Sequence, residues 1–283
     1  MKKNIPGTDY QLFIEKGKAC LGIIHLVRDM YDKPDINNYT FGRSLEGRVA
    51  LVTGGYKGIG YSIARKLRLE GASVIITGRS EANLERATKE LGNMAAYMVW
   101  DISKHNEIEG RLVDAEKLFG PISILVNNAG VTGDNRGRIG FENMDEQHIH
   151  FVHNVNLIGT KIMCECFLKK NSEGTILNII SNTGTLPASD AYQTSKWALY
   201  SYTKGLAELL TNNGSKVTVN GLCPGPIKTD MSFNRGTSLF RREIPNRRIG
   251  LPEEIAELAF VQLMNGLNNQ NGFITICDGG ESL

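Results

Sequence analysis

Residues 48–60 read Arg48-Val-Ala-Leu-Val-Thr-Gly-Gly-Tyr-Lys-Gly-Ile-Gly60, and this stretch decides the fold. The first six of these residues form a short apolar run, typical of a strand buried on both faces of a sheet. Gly54, Gly58 and Gly60 carry no side chain that would block the close approach of a pyrophosphate. A helix that begins near Gly58, with Ile59 in its first turn, would offer unpaired N–H groups and a positive dipole end. Because the glycine-rich turn joins a strand to a helix, it predicts a dinucleotide site rather than an ordinary tight loop.

Strands and helices alternate along the rest of the chain. Apolar runs predict strands at residues 48–53, 73–77, 95–100, 122–127, 175–180, 216–222 and 272–277. Helical spacing predicts helices at residues 81–91, 104–119 and 145–170, and others that begin near Gly58, Tyr192 and Pro252. Strands joined by helices pair in parallel through right-handed crossovers. We therefore expect an α/β protein, with a Rossmann-type doubly wound parallel sheet of about seven strands and helices on both faces.

Composition indicates one large domain. The chain has 283 residues, of which 41% are hydrophobic and 22% charged. We expect the domain to span residues 45–283, after an extension of residues 1–44. A net charge of +2 and scattered basic residues give no reason to expect nucleic-acid binding. The five cysteines are odd in number and lack CxxC spacing, which favours a reduced, cytoplasmic setting over a disulfide framework.

The extension has a pattern of its own. Apolar residues between Tyr10 and Tyr31 recur at helical spacing, so we expect it to be partly helical. Packing against its own domain or a partner subunit is the simpler interpretation, and contact with a membrane surface is the alternative. No run reaches the roughly 18 to 20 apolar residues needed to span a bilayer, so no transmembrane segment is expected.

A second stretch carries the candidate chemistry. On a helix, Tyr192-Gln-Thr-Ser-Lys196 places a phenol and an ammonium one turn apart on the same face. A nearby cation lowers the pKa of a phenol from its usual value near ~10, so Tyr192 would exchange a proton with a substrate oxygen at neutral pH. Ser181 follows the strand predicted at residues 175–180, which would deliver its hydroxyl to the carboxyl edge of the sheet. There it can hydrogen-bond the same oxygen.

Several motifs occur together and in order: Thr53 to Gly60, Asn127-Asn-Ala-Gly130, Asn156, Ser181, Tyr192 and Lys196. With this order and approximate spacing the chain closely resembles the short-chain dehydrogenase/reductase family over about residues 47–280. Its C-terminal half looks most like the 3-oxoacyl-carrier-protein reductase branch. The resemblance implies a nicotinamide cofactor and hydride transfer between it and a carbonyl or secondary alcohol. It does not specify the substrate.

The resemblance also implies roles for single residues. Tyr192 would exchange the proton, and Ser181 would hydrogen-bond the substrate oxygen. Lys196 would lower the pKa of Tyr192 and bind the nicotinamide ribose, while Asn156 would hold a water that links the lysine to solvent. Other cofactor contacts would come from an acid beside the adenine, the end of the fourth strand of the sheet and a proline-rich loop: Asp101, Asn128, Ala129, Gly130, Pro224, Gly225, Ile227 and Thr229.

Cofactor preference is predicted from the end of the second strand, Gly78-Arg79-Ser80. A relative that prefers NAD would usually place an acid there, to bind the ribose 2′-hydroxyl. Here Gly78 would leave space for a 2′-phosphate and Arg79 would pair with it through its fork of donors. Lys57 adds a positive charge nearby. These residues favour NADP(H), although two ordinary surface cations would look the same in sequence.

One departure from the family pattern concerns the serine. The interval from Ser181 to Tyr192 is slightly shorter than is typical of the family. A shorter loop would alter the shape of the substrate pocket, or Asn182 or Thr183 would share the role of the serine. Ser181 is preferred because Gly184 follows it as the family pattern requires.

Three histidines on one predicted helix, His148, His150 and His153, suggest a metal site at first sight. They do not share one helical face, and no acid or cysteine completes a site, so no metal is expected.

The segment from Asp230 to Gly250 is expected to be a mobile substrate lid. Its arginines would attract a carboxylate, a phosphate or an acidic carrier protein, or would simply lie in solvent: Arg235, Arg241, Arg242, Arg247 and Arg248. Asp278-Gly-Gly280 resembles the C-terminal turn of the family, which packs between subunits in relatives, so a homodimer or homotetramer is expected.

The predicted function is NADP(H)-dependent reduction of a ketone, or the reverse oxidation. A β-keto acyl, polyketide-like or other secondary-metabolite ketone, either free or carrier-bound, is the expected substrate. An NAD-linked alcohol or steroid dehydrogenase is the alternative among enzymes. A cofactor-binding scaffold or redox sensor is the alternative from another class, and the intact set Asn156, Ser181, Tyr192 and Lys196 argues against it.

Overall fold

The structure is a computed structural model, and it describes residues 2–4, 11–13, 44–134, 145–229, 231, 240–264 and 270–283. Before residue 44 it describes two short strands, β1 (Lys2–Asn4) and β2 (Gln11–Phe13), which pair antiparallel. The helix predicted between Tyr10 and Tyr31 is therefore wrong at Gln11–Phe13, where the backbone pairs with Lys2–Asn4 instead. The remainder of that predicted helix lies outside the described residues. The division of the chain at residue 45 remains a proposal.

One parallel sheet forms the centre of the protein. Its strands are β3 (Val49–Thr53), β4 (Ser73–Gly78), β5 (Ala95–Val99), β6 (Ile124–Asn127), β7 (Glu173–Ile179), β8 (Lys216–Pro224) and β9 (Ile274–Cys277). Their order across the sheet is β5-β4-β3-β6-β7-β8-β9, and every neighbouring pair is parallel. This order confirms the predicted doubly wound Rossmann-type sheet of seven strands.

Helices cover both faces of the sheet. They are α1 (Gly58–Leu69), α2 (Glu81–Leu91), α3 (Ile108–Phe119), α4 (Glu146–His153), α5 (Thr160–Lys170), α6 (Ala191–Asn212) and α7 (Pro252–Leu263). Alternate residues of each strand point to opposite faces, so Val52 packs with α1, α2 and α7, whereas its neighbour Leu51 packs with α3, α5 and α6. Within the described segments, no helix combines the length and apolar character needed to cross a bilayer.

The predicted helix over residues 145–170 contains a local irregularity. It begins where Asp145 caps the N–H of His148 at 2.8 Å, and it continues to Lys170. Between α4 and α5, Asn154–Gly159 forms a π-helical turn. Gly159 lies against Ile102, where an added Cβ would be 2.8 Å from the Ile102 carbonyl oxygen. Such wide turns are frequent at functional sites, and this one carries Asn156.

Strand order also fixes where a ligand binds. β3 and β6 are neighbours in the sheet although β4 and β5 separate them in the chain, so the connections diverge between them. In doubly wound sheets, the crevice at this switch point, outside the carboxyl ends of the strands, is the ligand site. Gly54 follows β3, Asn128 follows β6 and Ser181 follows β7 closely, so all three lie at this edge.

Candidate active site

Glycines form a cradle at the switch point. Gly54 and Gly58 have φ angles of +64° and +54°, which favour glycine over residues with a side chain. A Cβ added to Gly60 would be 2.5 Å from the Gly54 carbonyl oxygen and closer still to the Asn128 side chain. Helix α1 begins at Gly58 without a side-chain hydrogen bond to its N-terminus. The cradle therefore presents backbone N–H groups and a positive dipole end to an anion, as a pyrophosphate requires.

Asn128 and Thr53 hold this cradle in place. The Asn128 side-chain amide donates to the carbonyl oxygens of Thr53 at 2.9 Å and Gly54 at 3.2 Å. In return, the Thr53 hydroxyl accepts from the backbone N–H groups of Asn128 and Ala129, each at 3.0 Å. The ends of β3 and β6 are thereby fixed to each other. Thr53 was not predicted as a site residue, although it ends the first strand of the glycine motif.

The cradle opens into a cleft with a volume of about 190 Å³. Of the predicted catalytic residues, Ser181, Tyr192 and Lys196 line it. The predicted cofactor residues that line it are Gly54, Lys57, Gly58, Ile59, Asn128, Ala129, Gly130, Pro224, Gly225, Ile227 and Thr229. The cleft lining also includes four residues that were not predicted, because no chemical role was assigned to their side chains: Tyr56, Ile179, Ile180 and Met231. The structure thus brings together residues from four separate strand ends.

Lys196 lies at the base of the cleft. Its side chain is 4% exposed, and Nζ donates to the carbonyl oxygen of Ile179 at 2.9 Å. The ammonium lies 5.9 Å from the centre of the Tyr192 ring, so the predicted phenol and ammonium are neighbours on α6. Burial lowers the pKa of Lys196 from 10.5 to about 8. Lys196 is therefore mainly charged at neutral pH, although burial makes its charged form less favourable than in water.

Ser181 begins a tight turn after β7. Its hydroxyl oxygen accepts from the Thr183 backbone N–H at 3.3 Å and lies 3.0 Å from the Thr183 hydroxyl. Asn182 does not line the cleft; its side chain donates to the Glu281 carboxylate at 2.8 Å. The choice of Ser181 over Asn182 as the residue facing the substrate is therefore consistent with the geometry. Thr183 contacts the serine itself.

Gly184 lies at the point where this turn packs against helix α6. A Cβ added to Gly184 would lie 2.8 Å from the Lys196 carbonyl oxygen and 2.9 Å from the Ile180 side chain. Only glycine lets the serine turn lie this close to the helix that carries Tyr192 and Lys196. The prediction that Gly184 marks Ser181 thus has a physical basis in packing.

Asn156 is fully buried beside the cleft. Its Nδ2 donates to the Val131 carbonyl oxygen at 2.9 Å and to the Ser195 hydroxyl at 3.0 Å, while its Oδ1 accepts from the Val131 N–H at 2.8 Å. Ser195 in turn donates to the Tyr192 carbonyl oxygen at 2.7 Å. Both amide N–H donors of Asn156 are used, so a water at this residue would bind to an oxygen.

The residues predicted to select the cofactor lie at the ends of β3 and β4. Lys57 and Arg79 are both exposed. The prediction of open space beside Gly78 is wrong, because the Tyr56 ring occupies that space. A Cβ added to Gly78 would be 2.6 Å from a Tyr56 ring carbon. Lys57 follows Tyr56 and Arg79 follows Gly78 in the chain, so the two cations flank this contact.

Asp101 and the loop after β8 complete the predicted cofactor residues. Asp101 lies just beyond β5, where one carboxylate oxygen accepts from the N–H and hydroxyl of Ser103 at 3.0 and 2.7 Å. It does not line the cleft, and neither does Arg79. In the loop, the Gly225 N–H donates to the Cys277 carbonyl at 2.9 Å, which fixes the loop to the neighbouring strand β9.

The three histidines diverge, as their helical positions predict. His148 Nδ1 lies 3.2 Å from the Asp134 carboxylate, and His150 Nε2 lies 3.3 Å from the Glu146 carboxylate. His153 Nε2 is 3.0 Å from the Thr194 hydroxyl. Among the residues that the structure describes, no cluster of three metal-ligating side chains occurs.

The predicted lid is described only in part. Asp230 and residues 232–239, which include Arg235, lie outside the described residues. Arg248 forms a two-pronged ion pair with Glu254, whereas Arg247 donates to the Arg242 carbonyl at 2.9 Å. Arg241 donates to the Phe240 carbonyl at 2.8 Å. The lid and its attraction for anions remain predictions.

Comparisons with known proteins are consistent with this geometry. The family model described as short chain dehydrogenase matches residues 48–238. A 3-oxoacyl-[acyl-carrier-protein] reductase of Vibrio cholerae is 35% identical over 221 residues, which cover 75% of this chain and 88% of that protein. The crystal structure of a 3-ketoacyl-(acyl-carrier-protein) reductase from Brucella melitensis, complexed with NADH, matches with a TM-score of 0.77 and 31% identity, covering 84% of this chain and 100% of that one. An actinorhodin polyketide ketoreductase variant with NADPH matches with a TM-score of 0.74 and 29% identity, covering 83% of this chain and 97% of that one.

Proposed function

This chain belongs to the short-chain dehydrogenase/reductase family, and from that premise we propose that it is an NADP(H)-dependent ketoreductase. It is an oxidoreductase, and the proposed reaction transfers hydride between the nicotinamide and a ketone or the corresponding secondary alcohol. The observation that carries the proposal is the convergence of Ser181, Tyr192 and Lys196 on the cleft that also contains the glycine cradle.

The cradle fits a dinucleotide. Gly54 and Gly58 adopt the left-handed conformation, and side chains at either of these positions or at Gly60 would meet neighbouring atoms. The backbone N–H groups at the start of α1 would hold the pyrophosphate, and the loop that contains Ile227 and Thr229 would contact the nicotinamide end. When bound, the cofactor supplies or accepts the hydride.

The chain's own residues would handle the proton. In the reductive direction, the Tyr192 phenol donates a proton to the carbonyl oxygen as the alcohol forms. Ser181 donates a hydrogen bond to the same oxygen and holds the carbonyl carbon in position. The Lys196 ammonium stabilises the tyrosinate that remains, because a neighbouring positive charge favours the ionised phenol.

Asn156 would support this proton transfer by holding neighbouring residues in place. Its side chain fixes the backbone at Val131 and, through Ser195, the first turn of α6 that carries Tyr192. A water held by an Asn156 oxygen would link Lys196 to solvent and so return the proton to Tyr192.

Preference for NADP(H) is the finer part of the proposal. One similar structure contains NADPH and another NADH, so similarity alone leaves the choice open. Lys57 and Arg79 flank the contact between Tyr56 and Gly78, and no acidic side chain follows β4 immediately. Two cations at the end of the adjacent strands favour a 2′-phosphate. We therefore propose NADP(H).

The relatives also suggest the substrate. Their names specify 3-oxoacyl-carrier-protein and polyketide reduction. We propose a β-keto acyl or polyketide-like ketone, either free or carrier-bound. We further propose a cytoplasmic protein that assembles as a homodimer or homotetramer.

The test is oxidation of NADPH, followed by absorbance, with the N-acetylcysteamine thioester of acetoacetate as substrate. Tyr192→Phe should lower kcat by roughly 10²- to 10⁴-fold, since it removes a general acid. Tyr200→Phe, on the same helix but not part of the cleft lining, is the matched control and should retain activity. Equal activity of the Tyr192→Phe variant and the wild type would contradict the proposal.

A further inference from the structure

We propose that Thr183 is a positioning residue for Ser181: its hydroxyl donates to Ser181 Oγ and thereby directs the serine hydrogen toward the substrate oxygen. The proposal rests on the proposed function, because it assumes that Ser181 acts on a carbonyl. It concerns a residue to which neither the family motif nor the cofactor site gives a role.

The geometry of the turn carries the proposal. Two groups of Thr183 converge on Ser181 Oγ, the backbone N–H at 3.3 Å and the hydroxyl at 3.0 Å. A serine hydroxyl has two acceptor lone pairs and one hydrogen. When both Thr183 groups donate, the lone pairs are filled and only the hydrogen of Ser181 is left. Ser181 is 8% exposed and lines the cleft, so that hydrogen is directed to the ligand space.

The chemistry of the substrate sets the direction of this hydrogen-bond chain. A ketone oxygen has no hydrogen and can only accept, so Ser181 must donate to it. Ser181 then cannot donate to Thr183, and the Thr183 hydroxyl must donate to Ser181. Hydrogen bonds in such a chain polarise one another, so the Thr183 hydroxyl strengthens the bond from Ser181 to the carbonyl.

The turn holds Thr183 in this position. The Gly184 N–H donates to the Ser181 carbonyl at 3.0 Å, and the Thr185 hydroxyl donates to the Asn182 carbonyl at 2.7 Å. Gly184 lies against the backbone of α6 at Lys196. Asn182 is fixed on the side away from the cleft by Glu281. The two hydroxyls are therefore held together in a turn that is attached at both sides.

The experiment is a double-mutant cycle on Thr183 and Ser181, with NADPH and the N-acetylcysteamine thioester of acetoacetate. Thr183→Val keeps the shape of the side chain and removes the hydroxyl. It should lower kcat by roughly 3- to 10-fold, the effect of one neutral hydrogen bond, with KM and NADPH affinity little changed. Thr183→Ser should restore kcat. In a Ser181→Ala background, Thr183→Val should have no further effect, because the group that it orients is absent.

The outcomes separate this inference from the proposed function. A Thr183→Val variant that equals wild type while Ser181→Ala is impaired overturns the role of Thr183 and leaves the proposed function intact. Equal effects of Thr183→Val in the presence and absence of the Ser181 hydroxyl also overturn it, since they indicate a general structural role. If both Ser181→Ala and Tyr192→Phe are fully active, the proposed function itself fails. Thermal unfolding of each variant shows whether the fold is retained, and fluorescence titration with NADPH shows whether the cofactor site is retained. If the Thr183→Val variant does not fold, Thr183→Ala replaces it.

Discussion

Asn156 and Val131 are joined by two hydrogen bonds, one in each direction: the Val131 N–H donates to Oδ1 at 2.8 Å, and Nδ2 donates to the Val131 carbonyl at 2.9 Å. The side chain thus satisfies both backbone groups of the residue that follows the Asn127–Gly130 motif. It fixes the segment after β6 to the π-helical turn. In this arrangement, an asparagine has a structural role in addition to its proposed role in holding water.

Replacement of Asn156 by alanine should therefore reduce stability as well as activity. It leaves the part-buried backbone N–H and carbonyl of Val131 without their side-chain partners, and an unsatisfied group of this kind costs about 1–3 kcal/mol. We expect a free energy of unfolding lower by about 2–4 kcal/mol in urea denaturation. Asn154→Ala, an exposed asparagine of the same turn, is the matched control and should change the stability little. A loss of activity at unchanged stability would restrict Asn156 to the water role.

Lys196→Met should raise stability at neutral pH while it abolishes activity. Burial lowers the pKa of Lys196 to about 8, so keeping this group charged in the fold costs about 3 kcal/mol relative to the unfolded chain. Methionine avoids this cost but also loses the hydrogen bond to Ile179. We expect the free energy of unfolding of the cofactor-free protein to rise by about 1–3 kcal/mol at pH 7. Lys204→Met, at an exposed position of the same helix, should show no comparable gain.

The same pKa predicts how this difference depends on pH. Between pH 8 and 10.5 the unfolded chain keeps the Lys196 proton while the folded protein has lost it. Since the unfolded state then binds more protons, the stability contributed by this group rises with pH across that window. The difference in the free energy of unfolding between the Lys196→Met variant and wild type should therefore become smaller from pH 7 to pH 10. A gap that stays constant would show that Lys196 is not held charged at a cost.

The fold could be predicted from the sequence because its elements have strong local signals. The strand at Val49–Thr53, the helix at Glu81–Leu91 and the helix that begins at Pro252 all lie where apolar spacing, glycine and proline placed them. The π-helical turn at Asn154–Gly159 was not predicted, and its last residue, Gly159, packs against Ile102, which is distant in sequence. Local periodicity contains no information about such a contact.

Of the candidate site, the residues with an assigned chemical role were predicted, and the side chains that pack against them were not. Tyr56 fills the space beside Gly78 because β3 and β4 end side by side, a relationship that appears only once the strands pair. Likewise, Asn182 donates to Glu281, which lies 99 residues further along the chain. A side chain whose role depends on a distant partner has no signal of its own in one sequence.

Gly60→Ala should weaken cofactor binding. The added methyl would lie 2.5 Å from the Gly54 carbonyl oxygen and would displace the Asn128 side chain that holds both strand ends. We expect an increase of at least about tenfold in the NADPH dissociation constant, equivalent to 1.4 kcal/mol, by fluorescence titration. Gly110→Ala is the control: it lies within α3 with open space around it, so it should bind NADPH normally and be slightly more stable. Normal binding by the Gly60→Ala variant would be incompatible with a cradle at this turn.

Arg79→Ala should weaken NADPH binding selectively. A guanidinium that pairs with a phosphate contributes a charge-assisted bond of about 1.5–3 kcal/mol, so the dissociation constant for NADPH should rise by roughly 10- to 100-fold. NADH lacks the 2′-phosphate, and its affinity should be unchanged. Lys57→Ala should act in the same direction but less strongly, because an ammonium binds phosphate as a point charge. If wild type binds NADH as tightly as NADPH, the proposed NADP(H) preference is wrong.

Asn182→Asp should impair the enzyme from a position outside the cleft. Asn182 is 4% exposed and donates to Glu281 at 2.8 Å and to Asp278 at 3.5 Å. Burial alone would raise the pKa of Asp278, but hydrogen bonds from Ser282, Gly280 and Asn182 lower it, so Asp278 is ionised at neutral pH. A third carboxylate at position 182 would be repelled by those of Asp278 and Glu281. This repulsion would move the turn that contains Ser181 away from the C-terminal turn.

The expected result is a roughly 10-fold or greater loss of kcat, comparable to one or two lost hydrogen bonds, with NADPH affinity retained. Asn182→Ala removes the donor without adding charge, so its loss should be smaller. Raising the salt concentration should recover part of the activity of the Asp variant, because Glu281 is exposed and its repulsion is screened, but should leave the Ala variant unchanged. Equal activity of the Asp variant and wild type at low salt would mean that the C-terminal turn does not control the position of Ser181.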